Sequence, residues 1–152
     1  MTDKTFMALA LEEARLAYES GEIPVGCVIV KDNKVIASAH NLKEEKTSVT
    51  AHAEILAINK ASKALNNYHL DDCTLYCTLE PCVMCMGAIM QAHIKNVCFA
   101  LKDSNMGSCG SVVNLLEYNF QNPKINLVQG PLESESRKLV KNFFLELRNK
   151  NK

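Results

Sequence analysis

Four side chains in this sequence have the types and spacing of a hydrolytic metal site: His52, Glu54, Cys82 and Cys85. The two cysteines stand three apart, directly after a proline, in Thr78-Leu79-Glu80-Pro81-Cys82-Val83-Met84-Cys85. The histidine and the glutamate lie upstream in Thr50-Ala51-His52-Ala53-Glu54. Cysteines at i and i+3 in the first turn of a helix share one face. Unpaired N–H groups and the helix dipole favour thiolate there, the form that a metal binds. Tetrahedral zinc, about 2.3 Å from each sulfur, needs its two sulfurs within about 4 Å of each other, and this spacing allows it. With His52 as third ligand the fourth position is left to water, which is the pattern of a catalytic rather than a structural zinc.

Charge counting gives Glu54 its role. Two thiolates and a neutral imidazole make a formally neutral zinc site, which acidifies its water less than three neutral ligands would. A neighbouring base then matters more, and Glu54 is the local candidate to take a proton from zinc-bound water and pass it on. His52 and Glu54 are two apart, so in mid-helix they would point to opposite sides. Both reach one site only if His52 lies in the first turn or just outside it, and Thr50 is the cap expected to put it there.

Other readings of these residues are blander. A lone C-x-x-C is often a redox pair, but such pairs usually lack a separate His-x-Glu. A four-cysteine structural zinc with Cys73 and Cys77 fails on geometry, since a strand holds those two about 13 Å apart. Cys27, Cys73, Cys77 and Cys98 read as small core residues on strands, and the role of Cys109 is open. His40, His69 and His93 read as surface or supporting groups. Lys43-Glu44-Glu45-Lys46 reads as a solvated loop.

The elements that must position the four groups follow from periodicity. Met7, Ala10, Leu11, Ala14, Ala17 and Tyr18 predict a helix over 5–20, ended by Gly21. A buried strand over 25–30, a turn at Asp32-Asn33 and a return strand over 34–39 make a hairpin. Residues 42–50 are expected to be a loop. A second helix is expected over 51–65, packed through Ile55, Leu56, Ile58, Ala61 and Leu65 and broken at Asn66-Asn67. A strand over 73–79 leads to a third helix, with Pro81 in its first turn, and then to a strand over 96–100. These two strands should be parallel. Beyond a loop over 101–111 come a short helix over 112–116, a strand over 124–128 and a last helix over 132–148. The sum is an α/β fold, one mixed five-stranded sheet with helices on both faces.

The chain has 152 residues, a formal net charge of zero and seven cysteines. That length suits a single domain, 1–152. No apolar run is long enough to span a bilayer, and the start lacks a secretory pattern, so no membrane and a cytoplasmic location are expected. The odd cysteine count without extracellular signals favours reduced thiols and a metal over disulfides. Neutral net charge argues weakly against a strong polyanion binder, but patches matter more than totals. Arg137, Lys138, Lys141, Arg148, Lys150 and Lys152 stand against Glu146 alone at the end of the chain. Such a tail could meet phosphates or be a solvated helix face.

Taken together, His52-Ala53-Glu54 and Pro81-Cys82-Val83-Met84-Cys85 resemble the zinc nucleoside and nucleobase deaminases of the cytidine/deoxycytidylate deaminase superfamily. Within it the chain is similar to the bacterial tRNA-specific adenosine deaminases from about Phe6 to Phe144. The sharpest stretches are 22–26, 50–55 and 74–85, with Gly87-Ala88, Asp103, Gly107, Gly110-Ser111 and Phe143-Phe144 also in place. The resemblance implies a three-layer α/β/α cytidine deaminase-like fold with one Zn2+ per subunit. It implies conversion of the wobble adenosine of a tRNA anticodon stem-loop to inosine, with Glu54 serving the ring nitrogen and the leaving amine. It also implies a homodimer and four substrate-binding residues. Asn41 would hydrogen-bond a flipped nucleotide, Ala53 would line the pocket through its backbone as Cys82 does, Asp103 would contact a neighbouring sugar, and Asn122 would touch substrate. Ser48-Val49 replace the usual Asp-Pro, and Pro123 replaces a frequent histidine, so these departures touch RNA contacts more than metal chemistry. Two alternatives remain: a zinc deaminase of a free base or nucleoside (guanine, cytosine, cytidine), and a non-catalytic zinc-stabilised scaffold, which would not need Glu54.

Overall fold

Alternate residues of the central strands decide the layering. The computed structural model describes residues 2–151 except 121–123. Strand β1 (Gly26–Lys31) pairs antiparallel with both β2 (Lys34–His40) and β3 (Cys73–Leu79). Strand β3 runs parallel to β4 (Asn96–Leu101), and β4 parallel to β5 (Asn126–Gln129), giving the order β2-β1-β3-β4-β5. Cys27, Ile29, Leu75 and Cys77 point into one core, and Val28, Val30 and Tyr76 into the other. The first core lies under α3 (Ala53–Leu65) and α4 (Val83–Gln91). The second lies under α1 (Asp3–Glu19), with α5 (Glu133–Lys150) against β3, β4 and α1. The expected mixed sheet between helical layers is therefore what the chain forms. Fully buried Met7, Ile29, Leu75, Met86 and Ile89 fill the two cores, and burying each such side chain contributes roughly 1.5–3 kcal/mol.

Several boundaries differ from the expectations, each for a local reason. Helix α1 starts at Asp3 because the Thr2 hydroxyl accepts the Thr5 N–H at 3.3 Å. The hairpin turn is as expected, with Asp32 and Asn33 at φ 50° and 62°, the left-handed pair that matches strand twist. Residues 43–46, expected as loop, form a single helical turn, α2 (Lys43–Lys46). The buried carboxylate of Glu22 accepts the N–H groups of Glu44 and Glu45 at 2.9 and 2.8 Å, so a distant residue starts this turn. Helix α3 begins at Ala53, two residues later than expected, and Thr50 does not cap it, since its hydroxyl bonds Ser48 at 3.0 Å. Its closest face is Ala53, Ala57, Ile58 and Ala61, with Leu56 and Leu65 at the margin; Ile55 stays outside the core. Pro81 precedes α4 instead of entering its first turn, and Cys82 is the N-cap. The expected helix over 112–116 is a 3-10 turn at Leu115–Glu117, held by Asn114 Oδ1 accepting the Leu116 N–H at 3.0 Å. Strand β5 starts at Asn126.

Gly26 sets how closely α1 approaches the sheet. A Cβ there would lie 1.9 Å from the Ala10 carbonyl oxygen and 2.6 Å from the Ala14 nitrogen. Its N–H also donates to Thr78 Oγ1 at 3.1 Å, tying β1 to the end of β3. Replacement by alanine must displace helix backbone, not a flexible side chain. Urea denaturation of Gly26→Ala is expected to show a loss of at least about 2 kcal/mol, within the range for overpacking.

Candidate active site

Strand directions bring the chemistry together. Because β1 is antiparallel to both neighbours and β4 runs with β3, the chain leaves β2, β3 and β4 at the same end of the sheet. Asn41 follows β2, Glu80-Pro81-Cys82 follows β3, and Lys102-Asp103 follows β4. Ligand sites of open α/β sheets form at such carboxyl ends. The starts of α3 and α4 are delivered there too.

His52 is the N-cap of α3, with extended backbone at φ −76° and ψ 152°. Sitting just outside the helix, it can share a site with Glu54, as the spacing requires. Its Nδ1 lies 3.4 Å from Cys85 Sγ and 3.8 Å from Cys82 Sγ. All three ligand atoms lie within 4.8 Å of one another. Donors bonded at about 2.0–2.3 Å around one tetrahedral ion need separations close to these. One imidazole and two thiols therefore fit a thiophilic divalent metal.

The protonation pattern agrees. Hydrogen bonding from Cys85 lowers the Cys82 pKa to about 4 against the cost of burial, with His52 helping. The same bond, and then burial, push the Cys85 thiol up. Hydrogen bonding to Cys82 also raises the His52 pKa. These directions favour the thiolate at Cys82, the form that a metal binds. Glu54 is only 4% exposed, and burial raises its pKa above the usual carboxylate range. A carboxylate that readily holds a proton suits a shuttle.

A cavity of about 500 Å³ opens over these groups, and Asn41, Ala53, Glu54, Cys82 and Asp103 all line it. Asn41 spends part of its bonding on the fold: Nδ2 donates to the Ile23 carbonyl at 3.3 Å and Oδ1 accepts the Lys43 N–H at 3.1 Å. Asp103 Oδ1 accepts the N–H groups of Asn105 and Met106 at 3.0 and 3.2 Å, bracing its own turn. Asn122 lies outside the described residues.

The MafB19-like deaminase family matches residues 1–148. The chain belongs to this deaminase family. It is 43% identical to the tRNA-specific adenosine deaminase of Bacillus subtilis (strain 168) over 99% of this chain and 93% of that one. Among solved structures it resembles one from a study of A-to-I editing by tRNA:A34 deaminases at the wobble position of transfer RNA. That match has 40% identity and a TM-score of 0.86, covering 90% of this chain and 99% of the other. It also resembles a guanine deaminase of Bacillus subtilis, at 35% identity and a TM-score of 0.67, over 98% and 95% of the two chains.

This deaminase also uses residues that periodicity did not flag. Glu80 is 2% exposed and organises the loop after β4. Its Oε1 accepts the Asp103 N–H at 3.1 Å and the Ser111 hydroxyl, and its Oε2 accepts the N–H groups of Cys109 and Ser111 at 2.8 and 3.2 Å. An acidic residue between apolar Leu79 and Pro81, directly after a buried strand, is the signal that could have marked it. Lys43, expected in a solvated loop, is on the cavity wall, and Val140 and Phe144 reach the cavity from α5. The deaminase buries Cys27, Cys73, Cys77 and Cys98 as expected, and Cys109 as well. Burial lifts the Cys109 pKa to about 12, so it is not a reactive thiol in the folded state.

Proposed function

We propose that this deaminase hydrolyses the wobble adenosine of a tRNA anticodon to inosine and releases ammonia. The observation that carries it is the His52, Cys82 and Cys85 cluster with buried Glu54 beneath a cavity. The names of the two tRNA-deaminase matches support the choice of substrate.

His52 Nδ1, Cys82 Sγ and Cys85 Sγ would hold one zinc ion, a donor set suited to it. The chemistry such an ion supplies when bound is Lewis-acid activation of water. Glu54 takes a proton from the attacking water and returns it to the ring nitrogen beside the carbon under attack. A further transfer through the same carboxylate leaves the exocyclic nitrogen as ammonia. Asn41, with donor and acceptor capacity left over, orients the flipped nucleotide, and Ala53 and Cys82 wall the pocket. Asp103 meets a neighbouring sugar at the rim, and Asn122 is a further substrate contact.

The anticodon backbone needs positive charge nearby. Helix α5 supplies Val140 and Phe144 to the cavity and carries Lys138, Lys141, Arg148 and Lys150. Glu146, its late acidic residue, accepts a hydrogen bond from Tyr18. Arg137 is paired with Glu133. The proposal takes the protein as a single-domain homodimer working in the cytoplasm. No helix among the described residues is long and apolar enough to cross a membrane.

Zinc-loaded protein incubated with an anticodon stem-loop RNA, and separately with guanine, cytosine and cytidine, tests the substrate. Inosine at the wobble position with no turnover of the free bases or nucleoside is expected. Turnover of guanine or cytosine with an unmodified stem-loop would replace this proposal with the small-molecule alternative.

A further inference from the structure

The sheet end remote from the active site gathers a second set of metal-ligating side chains. His69 lies in the connection from α3 to β3, Asp71 shortly before β3, and His93 in the turn from α4 to β4. One ligand atom from each lies within 4.8 Å of the others. Strand β3 separates this group from the active site by its whole length, roughly 20 Å at about 3.3 Å per residue.

Three features suggest a built arrangement. The Leu70 N–H donates to the Ala92 carbonyl at 2.7 Å, fixing the two segments side by side. His93 adopts φ +62°, the left-handed conformation that histidine shares with asparagine and aspartate more often than other side chains do, and its ring centroid lies 4.7 Å from that of His69. Asp71 Oδ1 is buried without a hydrogen-bond partner among the described residues. His69 and Asp71 also border a cavity of about 400 Å³, whose wall carries Asp72, Lys31 and Lys95 as well. A bridging water would satisfy Oδ1, but it would not account for two imidazoles gathered within 4.8 Å of the same carboxylate.

We propose that His69, Asp71 and His93 form a second metal site, taking a divalent transition ion such as zinc through two imidazoles and one carboxylate. Imidazole with carboxylate suits zinc, nickel or copper and contains no thiolate. The ion would clip the α3–β3 connection to the α4–β4 turn. This proposal is independent of the substrate assigned above.

Zinc content after equilibrium dialysis of the full chain, repeated with cobalt(II) for its absorption spectrum, provides the test. The parent protein is expected to bind two equivalents per chain. The first cobalt equivalent should show thiolate-to-metal charge transfer, and the second should not. His69→Gln and His93→Asn are each expected to lose the second equivalent, or weaken it at least tenfold, while keeping the first. Asparagine tolerates the left-handed backbone, and Asp71→Asn keeps side-chain shape, so retained circular dichroism in these variants guards against misfolding as the explanation. One equivalent in the parent, or two equally tight equivalents in the variants, would overturn the proposal.

Discussion

Glu54→Gln is expected to lower kcat on an anticodon stem-loop by about a thousandfold, within the usual range for removal of a general acid–base group. Metal content and circular dichroism should match those of the parent, because the amide keeps the shape of the side chain. Stability gives an independent check with a definite sign. Burial raises the Glu54 pKa in the folded state. The favourable contribution of such a group is therefore present below its unfolded pKa and is lost as pH rises through the folded value. Metal-free Glu54→Gln should thus melt no lower than the metal-free parent at neutral pH. Normal turnover in the variant would refute Glu54 as the proton carrier. Loss of metal would instead make it a ligand, and the centre structural rather than catalytic.

Glu80→Ala should produce a large loss of stability at a residue outside the His52, Cys82 and Cys85 cluster. Its carboxylate accepts three backbone N–H groups and one hydroxyl, and the alanine variant leaves those donors without a partner. Hydrogen bonds to a charged group contribute roughly 1.5–3 kcal/mol each and do not add fully, so a loss of about 4 kcal/mol is expected in urea titrations at pH 7. Burial pushes the Glu80 pKa up, but Ser111 and the amides of Cys109, Asp103 and Ser111 outweigh it, and the net value is lowered. The contribution is therefore full above the unfolded value of about 4.3 and lost as pH falls through the lower folded one. The difference between parent and variant should shrink in acid. Asp103 stands on the loop that Glu80 holds, so KM for the stem-loop should rise more than kcat falls. Gly107 belongs to the same arrangement, since a Cβ there would lie 2.4 Å from Glu80 Oε2. An unchanged melting profile in Glu80→Ala would mean that the loop is held by other contacts.

The meeting of His52, Cys82 and Cys85, a cluster that could hold a metal, was legible because its constraints are local. A cysteine pair at i and i+3 and a His-x-Glu at a helix start can be tested on spacing alone, and His52 does fall just before α3. The strands were legible because Val, Ile, Cys and Leu alternate between two cores. Elements held by remote partners were not legible. Turn α2 exists because Glu22 reaches two of its amides, and no pattern within 43–46 encodes that. Lys43 looked solvated for the same reason, since its place on the cavity wall depends on how Glu22 and Asn41 fold the segment. Ile55 looked like core by hydrophobicity, but α3 comes close to the sheet through alanines, which leaves the larger side chain outside. The share of α5 in the cavity needed the third dimension, because Val140 and Phe144 are far in sequence from every other residue there.

All the cysteines except Cys82 are buried. Folding thus hides reactive sulfur from bulk solution, and a thiol-modifying reagent meets most of it only when strands separate. The pace of labelling then becomes a clock for whole-sheet opening rather than a measure of surface chemistry. A chain that opens without reductant also exposes many sulfurs at once, so wrong cross-links can trap it before the sheet closes again.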